Sequence, residues 1–381
     1  MADRAMDVIS EVSRRYNVVL KDKQVEAIYS FMNGCDVFVA LPTGYGKSLI
    51  YAFLPSVFDL YKGQEGSIVI CISPLVSLMM DQKSKFTHQG IKAVFVGEEQ
   101  TDEDAIRSVL TGKVQLVYIS PENIMCNPLF RNMILSPLYK EKLVALVVDE
   151  AHCVKTWGDK FRLAYGHLGD IRSLLSSNVN IMALTATATN ETYKAVCKRL
   201  SLNTPKLIGF QPNRSNIVYE VKPMIDLDNF CQDIARELKS LALEYPKTVI
   251  FVQRYSDCSA IYHTLRKNLG PHITFPPYYP IWQEYLLVDM YTRASTISKK
   301  EKVLEAFCNP KGTVRVIVAT TAFGMGVDCS DIRVVIHWGP PSSLEEYVQE
   351  TGRAGRDNQL CSLLKVKQPP WHSFDDLFAE K

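Results

Sequence analysis

The segment Leu41-Pro-Thr-Gly-Tyr-Gly-Lys-Ser48 sets two glycines, a lysine and a hydroxyl between an apolar run and the helix-forming stretch Leu49 to Leu54. That order suits a loop whose backbone N–H groups and following helix start cradle phosphates. Lys47 would reach the β- and γ-phosphates and Ser48 would ligate Mg²⁺, with Pro42, Thr43, Gly44 and Gly46 shaping the loop. The strict pattern opens on glycine, and here Leu41 stands in that place. Further on, Leu146-Val-Val-Asp-Glu-Ala-His152 ends an apolar run in two adjacent carboxylates, where open α/β sheets hold their ligands. Asp149 suits Mg²⁺, and Glu150 suits orienting and deprotonating an attacking water. Near the end, Gln349-Glu-Thr-Gly-Arg-Ala-Gly-Arg356 spaces Arg353 and Arg356 among glycines, so both guanidinium groups can approach a phosphate. Each segment alone also reads as ordinary punctuation: a turn into a helix, a solvated helix start, a glycine-capped helix end. Taken together they point to cleavage of a nucleoside triphosphate.

Such residues need strands to place them. Short apolar, β-branched runs recur at Asp36 to Ala40, Ser67 to Ile72, Val114 to Ile119, Leu143 to Val148 and Asn180 to Leu184, with amphipathic spacing between several of them. A second set begins near Asn216 and continues with Lys247 to Val252, Val314 to Thr320 and Arg333 to Trp338, separated by the helix-like Asp233 to Glu244 and Lys299 to Phe307. The alternation predicts two α/β domains, each a mainly parallel sheet flanked by helices. The 381 residues agree with a prior of roughly 100 to 200 residues per domain. Pro205, Pro212 and Asn213 mark the link, so the expected domains are residues 1–208 and 209–381. Gly270 to Tyr285, rich in proline and aromatic residues, reads as an irregular insertion.

Composition sets outer bounds. Lys and Arg number 43 against 41 Asp and Glu, so a nucleic-acid site must come from local patches rather than from overall charge. The ten cysteines form no C-x-x-C pair, which predicts no zinc and no disulfide framework. No apolar run approaches the roughly 18 residues that span a bilayer, and the first thirty residues carry no secretory pattern, so no membrane and no export are expected.

In order and spelling the motifs resemble the RecQ-like helicases of helicase superfamily 2 from about Gln24 to Asp357. Lys23-Gln-Val-Glu-Ala-Ile28 resembles the family's adenine-reading motif, with Gln24 on the base and Lys21 where the family usually has arginine. Ser73-Pro-Leu-Val-Ser-Leu-Met-Met-Asp-Gln82 resembles its strand-binding motif, which implies contacts from Ser73, Leu75, Ser77 and Gln82, and Ser120-Pro-Glu122 resembles the next. Asp149-Glu-Ala-His152 continues into Cys153-Val154 in the family's spelling, unlike the D-E-A-D proteins that usually act on RNA. Ala183-Leu-Thr-Ala-Thr-Ala-Thr189 resembles the coupling motif, implying that His152, Thr185 and Thr187 link hydrolysis to movement. Val318 to Asp328 resembles a further motif, with Thr320 and Thr321 toward the nucleic acid and Asp328 toward ATP. The resemblance implies tandem RecA-like domains holding ATP and Mg²⁺ between them, with Arg353 and Arg356 as arginine fingers. It also implies 3′ to 5′ movement on DNA, roles in repair or recombination, and nuclear residence if the source is eukaryotic.

Two departures qualify it. Trp157-Gly-Asp-Lys-Phe-Arg162 keeps Trp157, Phe161 and Arg162 of the family's aromatic-rich, DNA-sensing loop, but has Asp159 and Lys160 where the family has histidine and aspartate. After Asp357 no cysteine cluster, winged-helix or HRDC segment follows, so a protein partner supplying a duplex-splitting element is expected at forked DNA. The expectation is therefore an ATP-dependent DNA helicase. The rivals are a DNA-stimulated translocase that does not separate strands, and a non-catalytic nucleic-acid-binding relative. An unrelated phosphate-loop enzyme such as a small-molecule kinase leaves the second strand set, ending in Gln349 to Arg356, without a purpose.

Overall fold

The structure is a computed structural model that describes residues 2–366 except 75, 98–99, 101, 157–161, 210–215, 223–225, 325–328 and 358. Within helices and strands it leaves undescribed the side chains of 2, 3, 77, 156, 297, 324, 344, 345, 365 and 366. The chain forms two compact units, Met1–Pro212 and Asn213–Lys381. The expected boundary at 208 and 209 adjoins 210–215, which lie outside the described residues.

The first unit is a seven-stranded sheet: β1 (Val37–Ala40), β2 (Ile68–Ile72), β3 (Ala93–Val96), β4 (Leu116–Ile119), β5 (Leu143–Val148), β6 (Asn180–Thr185) and β7 (Lys206–Gly209). Every pairing is parallel, in the order β3-β4-β2-β5-β6-β1-β7. Parallel strands need covering on both faces, and β1, β2, β4 and β5 are accordingly buried at every residue. Successive side chains alternate faces. Val37, Val39, Val69, Cys71, Ala145 and Val147 pack with Phe31, Tyr51, Phe53 and Phe86 on one side. Phe38, Ile68, Ile70, Leu146 and Val148 pack with Tyr139 and Tyr165 on the other. Each such side chain removed from water stabilises the unit by about 1.5–3 kcal/mol. β7 falls within the stretch expected to be only a link. Pro205, which lacks an N–H, immediately precedes this edge strand and takes no part in its ladder.

The second unit is a six-stranded parallel sheet: β8 (Ile217–Lys222), β9 (Thr248–Val252), β10 (Val288–Tyr291), β11 (Val316–Ala319), β12 (Val334–Trp338) and β13 (Cys361–Val366), ordered β10-β11-β9-β12-β13-β8. Ile250, Val252, Val316, Val318, Ile336 and Trp338 face one core, and Val249, Phe251, Ile317, Ala319, Val335 and Leu363 the other. The insertion forms two 3₁₀ turns, Gly270–Ile273 and Gln283–Tyr285, closed by an antiparallel bridge between Thr274 and Leu286. It lies at the amino ends of the strands, because Leu287 O accepts from Arg315 N and Val316 N, where β11 starts. In the first unit the phosphate loop and the acidic motif follow the carboxyl ends of β1 and β5, whereas the arginine turn of the second unit returns beside the amino ends of β12, β13 and β8.

Candidate functional site in the two helicase-like units

Five segments collect along the carboxyl edge of the first sheet, one after each of β1, β2, β4, β5 and β6. After β1 the chain turns through Gly44 (φ 81°) and Gly46 (φ 90°) into the helix Lys47–Ala52. The Lys47 ammonium donates to the carbonyls of Leu41 (3.0 Å) and Pro42 (3.3 Å), folding back over the loop that it would share with phosphate oxygens. Ser48 is the second residue of that helix.

Gln24, 1 % exposed, closes the loop from the helix Asp22–Met32. Its amide donates to Tyr45 O (3.1 Å) and Gly46 O (2.8 Å) and accepts from Lys21 N (2.8 Å). A Cβ at Gly46 would stand 2.6 Å from Gln24 Nε2, so this position admits glycine alone. Lys21 sits with its ammonium 4.6 Å from the centre of the Tyr45 ring, a cation–π contact within the phosphate loop. Pro42 and Thr43 lie partly buried in the same loop.

Asp149 and Glu150 are fixed by the strands beside them. Asp149 N donates to Ile72 O (2.9 Å) on the β2 side, and Ala151 N to Leu184 O (2.8 Å) on the β6 side. Between these anchors Glu150 has φ 46°, in the left-handed region that costs a non-glycine residue about 1–2 kcal/mol. Glu150 N donates to Asp149 Oδ1 (2.9 Å), and Tyr51 Oη makes a long contact to Oδ2 (3.5 Å). Burial, and then the neighbouring Glu150, push the Asp149 carboxyl up to about 7, while Lys47 pulls it the other way. Glu150 Oε2 is buried with no hydrogen-bond partner, and His152 Nδ1 lies 3.5 Å from it. Two crowded carboxyl groups, one oxygen of which lacks a donor, beside a glycine loop and an ammonium fit a Mg²⁺-bound triphosphate: Asp149 and Ser48 would hold the metal and Lys47 the phosphates. Among the described residues no cluster of three or more His, Cys, Asp or Glu could hold a metal by protein ligands alone.

His152 and Thr185 meet at 3.1 Å, and Thr185 Oγ1 also donates to Thr187 O (2.7 Å). All three side chains are buried.

The residues expected to touch a strand are placed unevenly. Ser73 follows β2 but is only 2 % exposed, with its hydroxyl buried and unbonded. Ser77 and Gln82 belong to the helix Val76–His88, of which the Ser77 side chain is not described, and Gln82 is partly buried. Leu75, Trp157, Phe161 and Asp328 lie outside the described residues. Arg162 is engaged within its own unit. Nε donates to Glu122 Oε1 (2.7 Å), Nη2 reaches Oε2 in a bidentate pair, and Nη1 donates to Pro74 O. It thereby ties Ser73-Pro74, expected to contact a strand, to Ser120-Pro-Glu122. In the sequence Glu122 appears only as the end of the Ser120-Pro-Glu122 motif, without its pairing to Arg162, which stands forty residues further on.

In the second unit Thr320 follows β11, and Thr321 begins the turn Thr321–Gly324. Gln349 sits on the helix Leu344–Thr351, which packs against that turn. Arg353 is buried at 8 % exposure and Arg356 is partly buried, in the turn that follows the helix. Gly355 anchors the turn. Its N–H donates to Ile332 O (2.9 Å), its carbonyl accepts from Asn216 Nδ2 (3.0 Å), and a Cβ there would lie 2.5 Å from Cys361 Sγ.

Residues 21–196 match the DEAD/DEAH box helicase model, and 231–358 match the helicase conserved C-terminal domain. The chain is 35 % identical over 345 residues to the ATP-dependent DNA helicase hus2/rqh1 of Schizosaccharomyces pombe, covering 89 % of this chain and 24 % of that protein. It is 34 % identical over 354 residues to the ATP-dependent DNA helicase RecQ of Haemophilus influenzae, covering 91 % of this chain and 51 % of that one. The chain thus spans about half the length, or less, of these curated relatives. Among solved structures, the DUF1998 helicase MrfA bound to DNA and AMPPNP shares the fold at a TM-score of 0.71 and 18 % identity, over 96 % of this chain and 50 % of that one. With both helicase models matched in tandem and about a third of residues shared with such relatives along nearly its whole length, the chain belongs to the RecQ-like helicases of superfamily 2.

Proposed function

We propose that this chain is an ATP-dependent DNA helicase motor that couples ATP hydrolysis to 3′ to 5′ movement on single-stranded DNA and to duplex unwinding in repair or recombination. The observation that carries the reading is the single carboxyl edge shared by the phosphate loop, the Asp149-Glu150 corner, the His152–Thr185 contact and the two segments tied by Arg162. Gln24 reads the adenine, Lys47 neutralises the β- and γ-phosphates, and Glu150 accepts a proton as water attacks the γ-phosphorus. The bond to the bridging oxygen then breaks, and ADP and phosphate leave. Ser48 and Asp149 would hold Mg²⁺, which would supply charge neutralisation at the phosphate oxygens. Gln349, Arg353 and Arg356 serve ATP hydrolysis in the same reading, and Asp328 serves nucleotide binding.

The strand contacts proposed are Ser73, Leu75, Ser77, Gln82, Thr320 and Thr321, with bases stacking on Trp157 or Phe161 at about 1–3 kcal/mol each. Thr187 and the His152–Thr185 contact transmit the state of the ATP site. The departures Asp159 and Lys160 favour, as a second reading, a translocase that hydrolyses ATP without separating strands. The experiment is ATP hydrolysis with and without single-stranded DNA, beside displacement of a labelled strand from a 3′-tailed duplex. Stimulation with displacement supports the helicase, stimulation alone supports the translocase, and no hydrolysis overturns both.

A further inference from the structure

His337, next to last in β12, and Glu350, on the helix Leu344–Thr351, are each 2 % exposed, and their side chains meet at 2.9 Å, Nε2 to Oε2. The imidazole stacks at 5.7 Å on Phe251, its neighbour across the β9–β12 ladder, and lies 5.1 Å from the Tyr347 ring. Phe251 in turn meets Phe323 at 6.2 Å, in the turn that holds Thr321. A line of packed rings therefore joins the end of β11 to Glu350.

Glu350 follows Gln349 directly, and its backbone carbonyl accepts from Arg353 N (3.2 Å) in the turn that ends the helix. Burial first, and Glu346 next, push its carboxyl up to about 9, and Arg353 opposes them. A carboxyl that keeps its proton can donate to Nε2 of His337, and a neutral carboxyl costs so dry a site less than a carboxylate. A pair serving only to pack a helix on a sheet has no need of ionisable groups beside Gln349 and Arg353. The same space could be filled by apolar side chains at no loss.

We propose that His337 and Glu350 are positioning residues for ATP hydrolysis, their buried hydrogen bond fixing the last turn of the helix Leu344–Thr351 and with it the placement of Arg353. This rests on the ATP-hydrolysis reading above. The pair touches neither nucleotide nor strand. It sets the geometry of the group that does, which makes kcat, not the KM for ATP, the parameter that responds.

The test is steady-state ATP hydrolysis with saturating single-stranded DNA, comparing wild type, Glu350→Gln, Glu350→Leu, Arg353→Ala and the Glu350→Leu/Arg353→Ala pair. Glu350→Gln, whose amide N–H replaces the O–H, is expected to keep kcat within about twofold. Glu350→Leu is expected to lower kcat about 10- to 100-fold with KM held within about twofold. Added to Arg353→Ala, it should lower kcat no further, because it acts through that arginine. Additive losses in the pair, a Gln variant as impaired as Leu, or a folded Leu variant with full kcat would each overturn the proposal. If thermal unfolding shows Glu350→Leu to be unfolded, His337→Phe, which keeps a ring but removes the accepting nitrogen, replaces it in the same cycle with the same expectations. A wild-type chain without hydrolysis would sink the ATPase reading itself, whereas an active wild type with an unaffected Leu variant sinks only the positioning role.

Discussion

His152 Nδ1 lies 3.1 Å from Thr185 Oγ1, joining the carboxyl end of β5 to that of β6. The Thr185 hydroxyl proton is committed to Thr187 O (2.7 Å), and Thr187 N donates back to the same oxygen (3.1 Å). The imidazole therefore supplies a proton on Nδ1, and its Nε2 lies 3.6 Å from the Cys153 sulfur. The same Nδ1 stands 3.5 Å from Glu150 Oε2, so one ring connects the carboxylate that would activate water to the segment leaving β6.

That geometry makes Thr185→Val informative, since it keeps the shape and deletes the hydroxyl. The unstimulated ATPase rate should stay within about twofold while DNA stimulation falls about tenfold. Unfolding should be easier by about 1–3 kcal/mol, because buried partners lose their bonds. Rate assays with and without DNA, beside thermal melts, check this. Full stimulation in the variant would break the link drawn through His152.

Gly46→Ala places a methyl 2.6 Å from Gln24 Nε2 at a residue with φ 90°. Displacing Gln24 should raise the KM for ATP about tenfold, and the left-handed backbone should cost about 1–2 kcal/mol. ATP titrations and denaturant melts give both numbers, and an unaltered KM would remove Gln24 from the nucleotide site.

Glu350 supplies a pH signature. Its folded carboxyl is pushed up to about 9 from an ordinary 4.5, so between those values the folded chain holds one proton more than the unfolded chain. The associated stability is complete below about 4.5 and is lost as pH rises toward about 9. The groups facing it are His337 on β12 and Glu346 and Arg353 around its own helix. Raising pH from 6 to 9 should therefore lower the melting temperature of wild type more than that of Glu350→Gln, whose amide does not titrate. Parallel curves would contradict the assignment.

Glu122→Ala would strip Arg162 of its bidentate partner and uncouple Ser73-Pro74 from Ser120. Affinity for single-stranded DNA should weaken several-fold, with KM for ATP unchanged in the absence of DNA. Fluorescence anisotropy of a labelled oligonucleotide measures the first quantity. An unchanged affinity would make the clamp purely structural.

Much of this was legible because the chemistry sits in contiguous motifs directly after apolar strands. Lys47, Asp149, His152 and Thr185 follow β1, β5 and β6, all of which the apolar runs located. β3, β7, β10 and β13 were not located. Their runs are short or broken by polar residues, as in Val288-Asp-Met-Tyr291, where Asp289 is buried only because Lys299 Nζ reaches it at 2.6 Å. Pairings across long sequence separations left no local trace. The Arg162–Glu122 clamp and the His337–Glu350 bond each need a fold to bring strand end and helix together, and neither residue of the second pair carried a recognisable spacing of its own.

The central claim is that Glu150 activates the attacking water for DNA-stimulated ATP hydrolysis. Glu150→Gln keeps size and hydrogen bonding but removes the base, so steady-state hydrolysis with saturating single-stranded DNA should fall by about 10²- to 10⁴-fold while ATP still binds. Hydrolysis by Glu150→Gln at the wild-type rate would contradict the account.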